Sequence, residues 1–192
     1  MKLETKARYG KCRDRSSAYQ SNVHRFGAES VEKMVDWVLN HVPPNSSPSI
    51  LEVGSGNGAL LFALVQSGYD PERILGIDYS PNAVQLARSI ATNRGYDRVS
   101  FAVCDFLKER PAPVPTKFQG GSGDLWDLML DKGTFDAIAL GVKDADGTLP
   151  AARYPAQVAT LLKPGAYFLI TCMLMHQFRQ LMNIQISLNH SL

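Results

Sequence analysis

Residues 49–58 read Ser-Ile-Leu-Glu-Val-Gly-Ser-Gly-Asn-Gly, and the order of everything after them follows from this stretch. Ile50, Leu51 and Val53 form a short apolar run of the kind that makes a buried strand. Gly54, Gly56 and Gly58 follow at alternate positions, and Ala59 to Val65 is an apolar run of good helix formers. Strand, glycine turn and helix thus occur in that order. Glycine admits φ > 0 and lets a ligand come close to the main chain. The helix start behind it carries unpaired N–H groups. A second apolar run, Ile74 to Ile77, ends at Asp78. A carboxylate at the tip of a second strand can accept from both hydroxyls of a ribose. The unit reads as a nucleoside site on a doubly wound sheet.

Spacing narrows the ligand. Dinucleotide sites favour Gly-x-Gly-x-x-Gly, with pyrophosphate on the helix start. Here the pattern is Gly-x-Gly-x-Gly, preceded by Glu52. A carboxylate beside the loop repels a pyrophosphate and suits a cationic amino-acid end, which counts against a nicotinamide dehydrogenase. The glycines alone would fit a plain tight turn; joined to Glu52 and Asp78 they point to a ligand. This ordering resembles the S-adenosylmethionine site of the seven-strand methyltransferases. The resemblance implies S-adenosylmethionine as cofactor. Its amino-acid end would meet Glu52 and the loop Gly54, Ser55, Gly56 and Gly58, and its ribose would meet Asp78, followed by Tyr79.

The rest of the chain alternates in the manner such a fold requires. Ala28 to Leu39 has apolar residues at helical spacing, and the prolines at 43, 44 and 48 lead into the first strand. Ser80-Pro81 is a good helix start, serine as cap and proline in the first turn. That helix stops near Gly95. Val99, Phe101 and Val103 alternate as a third strand running into Asp105-Phe106. A carboxylate at Asp105 can accept from an adenine amino group while the Phe106 backbone N–H meets a ring nitrogen; the Phe106 ring itself belongs in the core. Residues 110–124, rich in proline and glycine, read as a surface insertion. Leu125 to Leu130 is a fourth strand with Asp131 at its tip, Thr134 to Leu140 a short helix and Tyr154 to Leu162 another. Lys163-Pro164-Gly165 reads as a turn into a fifth strand, Ala166 to Thr171. Strand–helix alternation calls for an α/β architecture, a mostly parallel sheet with helices on both faces. Ligands bind beyond the carboxyl ends of such strands, where Gly54, Asp78, Asp105 and Asp131 all fall.

Composition sets the outer limits. The 192 residues, 45% of them hydrophobic, suit one packed domain. A net charge of +2 is too small to imply nucleic acid or an acidic membrane as partner. Cys12, Cys104 and Cys172 lack metal-ligand spacing and fit reduced thiols, so no metal is expected. The start, Met1 to Lys6, lacks a signal peptide's apolar core, and no apolar run reaches the roughly 20 residues of a membrane span. These features favour a cytoplasmic monomer. Residues 1–25 form a basic, loosely structured segment in this reading, 26–172 the domain, and 173–192 an atypical tail.

Leu130-Asp131-Lys132-Gly133-Thr134-Phe135-Asp136-Ala137-Ile138, with Gly76-Ile77-Asp78-Tyr79-Ser80-Pro81 and Cys104-Asp105-Phe106-Leu107, makes the resemblance more specific. From about Phe26 to Thr171 the chain is similar to the methyltransferases that modify lysine on translation elongation factor 1-alpha. That resemblance implies methyl transfer to a protein lysine ε-amine, with the elongation factor as protein substrate. Strand four adjoins strand one in that architecture, so Asp131 is the catalytic candidate: it orients the amine or takes its proton, or else caps the Gly133-Thr134 turn. Two departures lie on the substrate side. The family continues after strand five with an Asn-containing segment and two more strands, whereas here Thr171-Cys172 runs on to Leu192, so a sheet without the final β-hairpin is expected. Only Arg25-Phe26-Gly27 represents the family's opening motif. In the tail, a helix over about 174–182 and an extended segment over 184–188 beside strand five would cover the apolar edge. The competing readings are a small-molecule methyltransferase on the same sheet and a cofactor-binding module without activity.

Overall fold

Five parallel strands form a single sheet in the computed structural model, which describes residues 15–112 and 125–171. Helix α1 (Arg15–His41) leads through a short 3-10 turn to β1 (Ile50–Val53). Then come α2 (Ala59–Gln66), β2 (Ile74–Asp78), α3 (Pro81–Arg94), β3 (Ser100–Val103) and β4 (Trp126–Lys132). The chain ends, within the described residues, with α4 (Thr134–Ala139), α5 (Tyr154–Leu161) and β5 (Leu162–Thr171).

The strand order is β3-β2-β1-β4-β5. From β1 the chain steps outward to β2 and β3 through α2 and α3. It then crosses back to β4 and steps the other way to β5 through α4 and α5. Right-handed crossovers require those two sets of helices to lie on opposite faces, and the packing shows it. Ile50, Ile74, Leu128, Leu130 and Leu169 pack with Met34, Val38, Leu60, Leu64, Val84 and Ala87 from α1, α2 and α3. Leu51, Val53, Leu75, Ile77, Met129 and Phe168 pack with Tyr154, Val158 and Leu161 of α5. All four residues of β1 are buried, as a central strand covered on both faces demands. The direction reverses between β1 and β4, and that switch point is where an open α/β sheet holds its ligand.

Local signals explain the boundaries. Ser80 caps α3, its Oγ accepting from the Ala83 N–H at 3.4 Å, and Pro81 and Gly95 stand at its two ends. Strand β4 runs on past Leu130 to Lys132, so Asp131 pairs within the strand and not beyond it, and two other boundaries differ more widely from the sequence reading. Helix α1 begins at Arg15, not Ala28, so residues 15–25 are helical and not a loose segment. No proline interrupts 15–41, and one internal glycine, Gly27, costs a helix only about 1 kcal/mol. Strand β5 begins at Leu162, paired with Trp126; the next pair is Tyr167 with Leu128. Lys163-Pro164-Gly165 is therefore a bulge within the strand and not a turn before it. Lys163 anchors the bulge to Asp127 of β4, Nζ to Oδ2 2.8 Å. The expected insertion at 110–124 lies mostly, and the tail helix and extended segment wholly, outside the described residues.

Candidate active site

The chain after β1 turns at Gly54 with φ +67 and Gly56 with φ +53, backbone that L side chains adopt at a cost. On its β2 side the loop is tied by two bonds. The Ser55 N–H donates to the Ile77 carbonyl at 2.9 Å, and the Gly56 N–H donates to Asp78 Oδ2 at 3.0 Å. Asp78 Oδ1 accepts from the Ser80 N–H at 2.9 Å. Asp78 therefore joins the loop to the start of α3. Each carboxylate oxygen has two acceptor sites, so one per oxygen remains for an incoming hydroxyl.

The three glycines do three different jobs. A Cβ on Gly54 would lie 1.9 Å from Thr134 Oγ1, so this glycine admits Thr134. A Cβ on Gly58 would lie 2.8 Å from Phe101 and 2.9 Å from Phe62, so that glycine serves the core beneath the loop. A Cβ on Gly56 meets nothing within 4 Å. Gly56 is thus the glycine that leaves room for a ligand against the main chain. Under the loop sits Glu52, 1% exposed, with Oε2 lacking a partner among the described residues. Burial pushes its carboxyl up to about 8, with Lys132 pulling down and Asp131 and Asp78 adding to the rise. A buried acceptor without a donor costs free energy, and a cationic ligand end would relieve that cost. Ser55 Oγ is likewise buried without a partner there.

At the ends of β2 and β3 the Cys104 N–H donates to the Asp78 carbonyl at 3.0 Å, which brings Asp105 beside Asp78. Asp105 Oδ2 accepts from Lys108 at 2.8 Å and Oδ1 from the Leu107 N–H at 3.2 Å. Tyr79 is 80% exposed and Val103, at the tip of β3, is half exposed; both apolar surfaces stand at the carboxyl edge. The Phe106 ring is buried 5.0 Å from the Tyr154 ring and belongs to the core, as expected.

Asp131 occupies a different place from the rest. It pairs in register with Val53, yet strand alternation puts it on the α4–α5 face with Met129, whereas Glu52 shares the other face with Ile50. It is fully buried. Its oxygens accept from the Thr134 N–H at 2.7 Å, the Phe135 N–H at 3.0 Å and the Tyr154 hydroxyl. Burial pushes its carboxyl up to about 6, although Tyr154 and the two amides pull the other way. Burial and the Asp131 charge raise Tyr154 in turn. Thr134 Oγ1 donates to the Val53 carbonyl at 2.9 Å. Sequence reasoning assigned no role to Thr134 or Tyr154. Thr134 was visible only as part of the motif after β4, and Tyr154 only as the start of a helix. Among the described residues no group of acidic, histidine and cysteine side chains could hold a metal, and no helix is long and apolar enough to cross a membrane.

The chain is 37% identical over 158 residues to the protein-lysine N-methyltransferase efm4 of Schizosaccharomyces pombe, an alignment covering 76% of this chain and 63% of that protein. It is 36% identical over 146 residues to human EEF1A lysine methyltransferase 2, covering 76% and 56%. The chain thus spans about three fifths of the length of the relatives it matches. Among solved structures, the PH0226 protein from Pyrococcus horikoshii OT3 superposes with a TM-score of 0.54 at 20% identity, covering 74% of this chain and 56% of that one. The sugar N-methyltransferase KedS8 from Streptoalloteichus sp ATCC 53650 superposes at 0.52 and 20% identity, covering 90% and 59%; at these identities the likeness is one of fold. Residues 44–189 match the profile of the methyltransferase domain family, and with the glycine loop at the switch point of this sheet the chain belongs to that family.

Proposed function

We propose that this chain uses S-adenosylmethionine to methylate a lysine ε-amine of a protein substrate, translation elongation factor 1-alpha. The observation that carries the reading is the loop region: a buried Glu52 oxygen without a partner among the described residues, and Gly56 in the loop that follows, where a Cβ would meet open space. A nucleoside with a cationic amino-acid end fits such a donor set. In this reading Glu52, Ser55 and Gly56 hold the amino-acid end, Asp78 the ribose hydroxyls, and Tyr79 and Asp105 flank the base. When bound, the cofactor supplies a methyl group already activated by its sulfonium. The lysine specificity and the elongation factor rest on the relatives, which are named for those activities.

The protein's part is alignment, since proximity and orientation supply most of the gain in a transfer of this kind. The acceptor amine must arrive without its proton, and a water-poor site favours the neutral form. Asp131 does not take that proton in this reading. Its oxygens are engaged by two amides and a tyrosine, so it is a positioning residue that fixes the β4–α4 turn.

The test is intact-mass analysis of elongation factor 1-alpha after incubation with the protein and S-adenosylmethionine. The expected result is a gain of whole methyl groups on lysine. Cofactor binding with no gain in mass would overturn the transfer.

A further inference from the structure

We propose that Thr134 is a second positioning residue, the clamp that holds the glycine loop in register with the β4–α4 turn. The inference rests on the methyl-transfer reading above, since it assigns the loop to the methyl donor and the turn to the acceptor side.

Thr134 is held from one direction and holds in the other. Its backbone N–H donates to Asp131 at 2.7 Å, and Asp131 is buried and further fixed by Tyr154 of α5. Its hydroxyl donates to the carbonyl of Val53, the last residue of β1, at 2.9 Å. Val53 with Asp131 is the last β1–β4 pair, so this carbonyl stands where the ladder ends. A carbonyl there needs a donor from outside the sheet. The side chain also occupies the space over Gly54 that a Cβ would fill. On its other side the loop is tied to β2 through Ser55 and Gly56. The loop is therefore gripped between β2 and β4, and Thr134 is the grip on the β4 side. Because Glu52 and Asp131 lie on opposite faces, neither can set the distance between donor and acceptor sides. Thr134 meets the loop at Gly54 and Val53 and the turn at Asp131.

Valine at this position fills the same space and donates nothing; serine donates without the γ-methyl. The experiment compares the wild type with Thr134→Val and Thr134→Ser. It measures amide exchange in the free protein, and kcat and KM for transfer to elongation factor 1-alpha. With valine, the Ser55, Gly56 and Gly58 amides exchange about fivefold faster, the order expected from losing one hydrogen bond, while α3 amides keep their rates. Turnover falls about tenfold, with KM for the protein substrate nearly unchanged, because alignment and not binding is lost. Serine restores both. Loop exchange equal to the wild type, serine no better than valine, or a uniform rise in exchange with loss of folding would each overturn the clamp. If the wild type transfers no methyl but the loop amides respond as stated, the methyl-transfer reading fails and the clamp on the loop stands.

Discussion

Gly54 and Gly56 share a left-handed backbone but differ in what surrounds them, and the difference separates folding from binding. Gly54→Ala drives a methyl into Thr134. Overpacking costs about 1–3 kcal/mol and the left-handed backbone about 1–2 more, so this variant should melt well below the wild type or not fold. Gly56→Ala incurs only the backbone cost, because its Cβ meets open space. It should fold and yet fail to bind S-adenosylmethionine in calorimetry, since the new methyl occupies the proposed cradle. Cofactor binding equal to wild type in a folded Gly56→Ala protein would remove Gly56 from the site. Asp78→Ala tests the ribose contact. Hydrogen bonds to charged groups are worth about 1.5–3 kcal/mol each, so affinity should fall about tenfold or more. The Gly56 and Ser80 amides also lose their acceptor, so a lower melting temperature accompanies the loss of affinity.

At the scale of elements, the β4–α4–α5 corner depends on one buried carboxylate. Asp131 receives two amides from the first turn of α4 and the Tyr154 hydroxyl from α5. Tyr154→Phe takes away a donor to a buried charge and should destabilise by about 1.5–3 kcal/mol in chemical denaturation. Asp131→Asn keeps an acceptor for the α4 amides and removes the charge. It should slow methyl transfer while cofactor affinity stays within about threefold, because the retained oxygen still accepts from the Thr134 amide and leaves the hold of Thr134 on the glycine loop in place. The Tyr154→Phe cost should shrink in the Asp131→Asn background, the signature of a direct pair in a double-mutant cycle. Equal cost in both backgrounds would mean that the tyrosine acts through packing alone.

For the whole molecule the buried carboxyls set the pH response. Glu52 is raised to about 8 and Asp131 to about 6, both mainly by burial. Each holds its proton more tightly folded than unfolded, so the folded state binds more protons across that range. Their contribution to stability then falls as pH rises from about 4 towards 8. Asp127 has the opposite sign. Burial raises it, but Lys163 and Ser49 outweigh that and hold it below the ordinary carboxylate range, so its contribution is lost only in acid. Glu52→Gln removes the largest of these effects. Its melting temperature should exceed the wild type's by several degrees at pH 8 and match it near pH 4, while its affinity for S-adenosylmethionine drops. A stabler, weaker-binding variant is the outcome expected when a site residue is kept at a cost to the fold.

Much of this fold was legible in residues 49–58, 74–81 and 126–136, because strands buried on both faces read as apolar runs and glycine, proline and capping serine mark where they end. The position of Gly54, Asp78 and Asp131 at the carboxyl edge follows from that alternation, whereas the neighbouring of strands one and four came from the family resemblance and not from the alternation itself. What needed the tertiary structure was which face each side chain takes and what stands opposite it. Strand four lies against strand one only after the chain has crossed the sheet, so the contact between Thr134 and Gly54 joins residues far apart in sequence. The same holds for Tyr154, which meets Asp131 only when α5 packs on the sheet. Glycines that look alike in the motif acquire separate roles from their neighbours in space, since steric room is a property of the folded surroundings and not of the residue itself.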